Sequence, residues 1–361
     1  MLSKRETARK SQNIGFYVKM LNLKILIMLA IFDKTSQNVI YKVMENNVLE
    51  KFKKIKGLIG NTPLVEILFE YKGKQRKVYA KLEWYNLTGS IKDRVAYQIM
   101  LDAYKSGAID ERSTVYELTS GNMGISIAGM CNLLGNKCEI IMPKSMSEER
   151  KKLIELYGAR LVLVDDFLSG YALCDELEKQ GKFLAHQFEN KSNYYAHYHT
   201  TGKEIFEKLK HKKVEAFVAG VGTSGTLMGV GKFLKKWKKA KVIGIEPDTA
   251  RILTGKKPLA KHKIQGLSDE RLPKLYDSKV VDEIIQIGSD DAIKMSQKLC
   301  KELSLGVGIS SGANFLGAVL SNKTCVTTFA DDNKKYLSTD LARQVESKLV
   351  DQIKLISCKV I

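Results

Sequence analysis

Four short segments rich in hydroxyls, amides and glycine stand between apolar runs and amphipathic ones. The first spans Lys81 to Val95, where Thr88-Gly89-Ser90 leads into Ile91-Lys92-Asp93. A lysine at the opening of a helix is awkward, because the positive end of the macrodipole disfavours its charge. That makes Lys92 a candidate for a lowered amine pKa, as Schiff-base chemistry needs; an ordinary surface lysine is the other reading. The second is Glu117-Leu118-Thr119-Ser120-Gly121-Asn122-Met123-Gly124. Hydroxyls, an amide and two glycines at a helix N-terminus make an anion cradle, whereas a plain N-cap needs only one such side chain. The third is Ala219-Gly220-Val221-Gly222-Thr223-Ser224-Gly225-Thr226, whose glycines let backbone N–H groups approach a phosphate while the hydroxyls add donors. No Gly-Lys-Ser/Thr follows it, so a monophosphate is the natural ligand rather than a nucleotide. The fourth, Gly308-Ile309-Ser310-Ser311-Gly312-Ala313-Asn314, reads alone as a capped turn.

These segments need a scaffold. Val78 to Leu82, Thr114 to Glu117, Cys138 to Met142, Leu161 to Val164, Phe183 to Ala185, Ala216 to Ala219 and Lys241 to Glu246 read as strands. Asp93 to Lys105, Gly124 to Leu134, Ser147 to Tyr157, Thr200 to Leu209 and Thr226 to Trp237 read as helices between them. Strand–helix alternation with near-continuous apolar strands predicts an α/β protein with doubly wound parallel sheets. At 361 residues the length predicts about two such units.

The formal charge is 59 − 40 = +19. Its lysines are scattered in short groups, and no nucleic-acid-binding signature appears, so no nucleic-acid partner is expected. The six cysteines are widely separated, without a CxxC pair or zinc spacing, and read as buried free thiols in a reducing compartment. His197 and His199 lack an evident third ligand, and no metal is expected. The run Ile25 to Phe32 is too short to span a bilayer, which takes ~20 residues, and no signal-cleavage site follows it. A membrane-surface helix is one reading of residues 1–43; a mis-assigned start, with Met44 as the true one, is favoured because motif content begins only after Met44.

Asn61-Thr62-Pro63-Leu64, Gly89-Ser90-Ile91-Lys92-Asp93-Arg94, Thr119-Ser120-Gly121-Asn122, Gly222-Thr223-Ser224-Gly225-Thr226, His262-Lys263-Ile264-Gln265-Gly266, Gly308-Ile309-Ser310-Ser311-Gly312 and Tyr336-Leu337-Ser338-Thr339 occur in this order. The set resembles the cysteine synthase (O-acetylserine sulfhydrylase) family. That is a group of fold-type-II pyridoxal 5'-phosphate enzymes, with the tryptophan synthase β-like fold, which also holds cystathionine β-synthase. The likeness runs from about Val48 to Thr339. It implies a catalytic unit over 44–345, with a smaller mobile subdomain at about 86–190, a larger one at about 48–85 plus 191–345, and a C-terminal tail at 346–361. It implies that Lys92 is the Schiff-base lysine and general base, and that Asn122 bonds the cofactor ring hydroxyl. Gly222, Thr223, Ser224, Gly225 and Thr226 correspond to the phosphate cradle, and Ser310 to the hydroxyl facing the ring nitrogen. Thr119, Ser120, Met123, Gln187 and Gly266 fall at substrate positions.

The implied activity is β-replacement or β-elimination on a three-carbon amino acid through an aminoacrylate. Cysteine synthesis from O-acetylserine and sulfide comes first, in a cytoplasmic homodimer. Two departures qualify this. Met123 replaces the family's usual threonine and removes a donor for the substrate carboxylate. The stretch after Gly266 carries Asp269, Glu270 and Arg271 where the family is typically small and apolar. A carboxylate at Asp269 would activate water or a thiol and repel hydrosulfide, tilting the enzyme toward release of hydrogen sulfide from L-cysteine, with L-serine or lanthionine as the other product. The alternative is that the three charges pair at the cleft rim. No haem is expected, since no Cys or His precedes Cys131. From another class, the chain could be a catalytically weak cofactor-binding regulator of sulfur metabolism.

Overall fold

Leu64–Tyr71 (β1) and Lys74–Leu82 (β2) form an antiparallel hairpin closed by Lys72 and Gly73, both at positive φ. Two left-handed residues give the turn the twist that the flanking strands require. The structure is a computed structural model that describes residues 48–255, 259–267 and 271–361. The chain divides into two units, Met1–Lys53 and Lys54–Ile361. Of the first, residues 48–53 are described and helical; the readings of residues 1–43, and of Asp269, lie outside the described residues. All the described strands belong to the second unit.

Thr114–Leu118 (β3), Lys137–Pro143 (β4), Arg160–Val164 (β5) and Phe183–Leu184 (β6) make a four-stranded parallel sheet in the order β5-β4-β3-β6. Ala216–Gly220 (β7), Lys241–Pro247 (β8), Glu283–Ile287 (β9), Cys325–Phe329 (β10) and Ile353–Val360 (β11) join β1 and β2 in a seven-stranded sheet, order β11-β1-β2-β10-β7-β8-β9. From β2 to β9 this sheet is parallel. The two doubly wound sheets expected from the alternation are present, but the larger one gains antiparallel strands at one edge.

That edge also corrects the expectation of a tail over 346–361. Residues Ile353–Val360 pair with β1 from Tyr71↔Ile353 to Val65↔Val360. Ile353 and Leu355 are buried while Lys354 points outward. This period-two pattern suits a sheet edge with one face covered, and charged residues there guard against further pairing.

Burial on both faces explains the apolar strands. In β7, Ala216 and Val218 pack with Phe315 and Leu316 of the helix Ile309–Leu320. Phe217 and Ala219 face the other side, with Leu227 and Val230 of Gly225–Lys238. Helices on both faces leave the carboxyl ends of the parallel strands as the open edge, where doubly wound proteins bind ligands.

Candidate active site

Each of the four polar segments lies at such an end. Lys92 is the first residue of the helix Lys92–Lys105, and Asn122 that of Asn122–Leu134 after β3. Gly225 opens Gly225–Lys238 after β7, and Ser310 is second in Ile309–Leu320. Several N–H-bearing helix ends thus converge on one cleft. Its cavity is about 300 Å³ and is lined among others by Lys92, Asn122, Met123, Gln187, Gly266 and Ser310. A smaller space of about 50 Å³ is bounded by Gly222, Thr223, Ser224, Thr226 and Ser310.

Among the described residues the Lys92 amine makes no hydrogen bond or ion pair. Burial lowers its pKa to about 8, and the charge of Asp331 opposes that shift. The Ser310 hydroxyl likewise has no partner among the described residues. Asn122 donates from Nδ2 to Asp331 Oδ2 at 2.7 Å, and its Oδ1 is buried without a partner.

Backbone geometry builds the glycine-rich loop. Ser224 sits at φ +69° with its Oγ buried and unpartnered. A Cβ on Gly222 would strike the Gly266 carbonyl oxygen, and one on Gly225 would strike Asn193 Oδ1. Any side chain at either position would therefore fill the loop. Asn193 donates to Thr223 Oγ1 at 2.8 Å, and Thr226 Oγ1 lies 3.2 Å from His197 Nε2.

On the substrate side, Gln187 is buried and donates from Nε2 to the Leu118 carbonyl at 3.0 Å. Its backbone N–H meets Glu117 Oε2 at 3.4 Å. Burial pushes the Glu117 carboxyl up to about 8, against hydrogen bonds from Gln187 and the His186 backbone. Thr119 Oγ1 accepts from the Gly121 N–H at 2.9 Å, and Ser120 accepts through its carbonyl from Arg150 at 3.2 Å. Met123 is 1% exposed and lines the cleft, where it offers no strong hydrogen bond.

The cleft thus gathers every site residue read from the sequence except two. Gly225 shapes it from behind, and Asp269 is outside the described residues. Four residues escaped the sequence reading: Asp331, Arg150, Asn193 and His197. None stands in a glycine- and hydroxyl-rich segment; only the adjacent Tyr336-to-Thr339 motif hinted that the chain beyond β10 matters.

Among the described residues no group of three His, Cys, Asp or Glu could hold a metal ion, and no helix is long and apolar enough to cross a membrane. Cys131, Cys138, Cys174 and Cys325 are buried free thiols, while Cys300 and Cys358 are half-buried.

Residues 55–331 match the family model of pyridoxal-phosphate-dependent enzymes, and the chain belongs to that family. The residues present fit the group: a half-buried amine of lowered pKa lines both cavities, with Asn122, whose Oδ1 is unpartnered, at the larger one and Ser224, whose hydroxyl is unpartnered, at the smaller. Within the family the chain is similar to the cysteine synthase of Staphylococcus aureus, at 39% identity over 295 residues, covering 79% of this chain and 95% of that one. It is 41% identical over 300 residues to cysteine synthase B of Campylobacter jejuni, covering 80% and 98%. Among solved structures, a hydrogen sulfide-producing enzyme from Fusobacterium nucleatum is 42% identical with a TM-score of 0.83, covering 87% of this chain and all of that one. An aspartate-to-asparagine variant of a hydrogen sulfide-producing enzyme, equally similar, is known with an α-aminoacrylate intermediate.

Proposed function

We propose that this protein catalyses β-replacement on a three-carbon amino acid, converting O-acetylserine and hydrosulfide into L-cysteine and acetate. The observation that carries the reading is the half-buried Lys92 amine, without a hydrogen bond or ion pair among the described residues, in a cleft it shares with Asn122 and the glycine loop. Bound pyridoxal phosphate supplies an electron sink for the negative charge developed at Cα. Lys92 and the residues around it do the rest. Its lowered pKa leaves a share of the amine neutral near pH 7, able to take the Cα proton as general base. Gly222 to Thr226 hold the phosphate through backbone N–H groups and hydroxyls, and Asn122 and Ser310 orient the ring. Thr119, Ser120 and Gln187 bind the substrate carboxylate, with Met123 giving no help.

A second reading is the release of hydrogen sulfide from L-cysteine, with water or a thiol adding in its place. It is favoured by the likeness to hydrogen sulfide-producing enzymes and by the charged run Asp269-Glu270-Arg271, with Asp269 as the proposed activating carboxylate. We also propose a cytoplasmic homodimer with a smaller mobile subdomain around the four-stranded sheet.

The deciding experiment incubates the holoenzyme with O-acetylserine plus sulfide, and separately with cysteine alone, and identifies the products. Cysteine from the first mixture supports synthesis; sulfide with serine or lanthionine from the second supports release. Turnover in a Lys92→Ala enzyme would overturn both.

A further inference from the structure

Asp331 follows β10 by two residues, and none of its surface is exposed. Its Oδ2 accepts from Asn122 Nδ2 and from the Tyr336 hydroxyl, each at 2.7 Å, with Arg150 Nη2 at 3.5 Å. Its Oδ1 has no partner among the described residues. An acceptor withdrawn from water and left unmatched is costly, and a structure that keeps one calls for a reason.

The surroundings supply one. Arg150, Lys335 and Asp332 face the Asp331 carboxylate. Arg150 is spread over Tyr336, Gln265 and the Ser120 carbonyl, and Lys335 donates to the carbonyls of Thr88 and Gly89. Neither cation is devoted to Asp331. His197 also senses Lys92, and burial, with the charges of Lys92 and Arg94, holds its pKa well below the usual imidazole value. The Ile91 N–H donates to the Ala330 carbonyl at 2.9 Å and Ser90 forms a β-bridge with Asp331, so the segment that carries Asp331 lies against the start of the Lys92 helix, where its negative charge acts on the amine.

We propose that Asp331 is a positioning residue: it fixes the Asn122 amide in one orientation and serves as counter-charge to the Lys92 amine. The inference rests on reading Lys92 as the reactive amine. When the Cα–H bond breaks and an N–H bond forms on Lys92, the ammonium appears within the field of the Asp331 carboxylate rather than without a counter-charge. The same charge raises the pH at which the free amine becomes nucleophilic.

An amine attacks an aldehyde only when unprotonated, so the rate at which the apo-chain takes up pyridoxal 5'-phosphate should rise with pH through the Lys92 titration. For the parent the midpoint is expected near 8. In Asp331→Asn, isosteric but neutral, it should move down by about one pH unit or more, a tenfold change in the amine's proton affinity. Asp331→Ser, smaller and also neutral, is the second variant, and is the one read if the asparagine variant fails to fold by circular dichroism. Tyr336→Phe removes one hydrogen bond but keeps the charge, and its midpoint should stay with the parent's. Slower uptake at every pH with an unmoved midpoint in the neutral variants would mean a structural role only and overturn the proposal. Borohydride trapping and peptide mapping separate the two failures. A label away from residue 92 in the parent overturns the function proposed above, whereas a label at 92 with unshifted midpoints overturns only the role of Asp331.

Discussion

Asn193 donates its side-chain Nδ2 to Thr223 Oγ1 at 2.8 Å and also to the Gln187 carbonyl at 2.8 Å. One amide therefore braces the glycine loop and the segment expected to grip the substrate. Because it is fully buried, neither bond competes with water.

Replacing Asn193 by Ala leaves two buried acceptors unmatched, at about 1–3 kcal/mol. Part of that strain falls on the bound state, so pyridoxal phosphate affinity should drop roughly tenfold, and KM should rise along with it. Fluorescence titration of the apo-chain measures the first effect. Unaltered affinity would show that Thr223 is held by the backbone alone.

Glu117 tests the buried acid beneath Gln187. Its pKa is raised to about 8 in the fold, above the unfolded value of about 4.3. The native state then binds the extra proton between these values, so its stability is fullest below pH ~4.3 and falls as pH climbs toward 8. Glu117→Gln mimics the protonated form and removes that decline. Thermal melts should show the variant more stable than the parent at pH 8, with the gap closing as pH falls to about 4. Parallel curves at both values would contradict the raised pKa.

Beneath the Lys92 helix, Arg94 is clamped between Glu83 at 2.6 Å and Glu204 at 2.6 Å, and Lys81 reaches Glu204 at 2.7 Å. Burial alone would raise the Glu204 pKa, but Arg94 and Lys81 hold it at about 2. Its contribution is complete above pH ~4.3 and lost as pH drops toward 2. Glu204→Gln leaves buried cations short of a partner and should cost about 3 kcal/mol in chemical denaturation. A loss within experimental error would show that Glu83 suffices.

Met123→Thr offers the substrate carboxylate a hydroxyl. A single added hydrogen bond of about 1 kcal/mol lowers KM about fivefold. Steady-state kinetics with the amino-acid substrate varied would reveal it; an unchanged KM means that Thr119, Ser120 and Gln187 already saturate the carboxylate.

Much of the site was legible because its chemistry is local. Thr119 to Asn122 and Gly222 to Thr226 each sit where a strand stops and a helix begins, and Gly308 to Ser310 opens a helix after a loop; glycine with hydroxyls has few other uses there. Parallel strands with both faces covered announce themselves as unbroken apolar runs, as Ala216 to Ala219 does. The edge strand Ile353–Val360 was harder: its alternation is half polar, and its partner lies at the far end of the chain.

The one-dimensional order of residues thus determined which side chains could bind a phosphate, form an imine and cap the helices. It could not determine the company they keep. Asn122 and Asp331 are 209 residues apart, and Asn193 and Thr223 are 30 apart across two separate helices. Such pairs meet only because strand order and crossover register bring the ends of β3, β7 and β10 to one cleft. Desolvation, which turns an ordinary lysine into an amine with a pKa near 8 and an ordinary glutamate into a neutral acid, exists only once that cleft has closed around them.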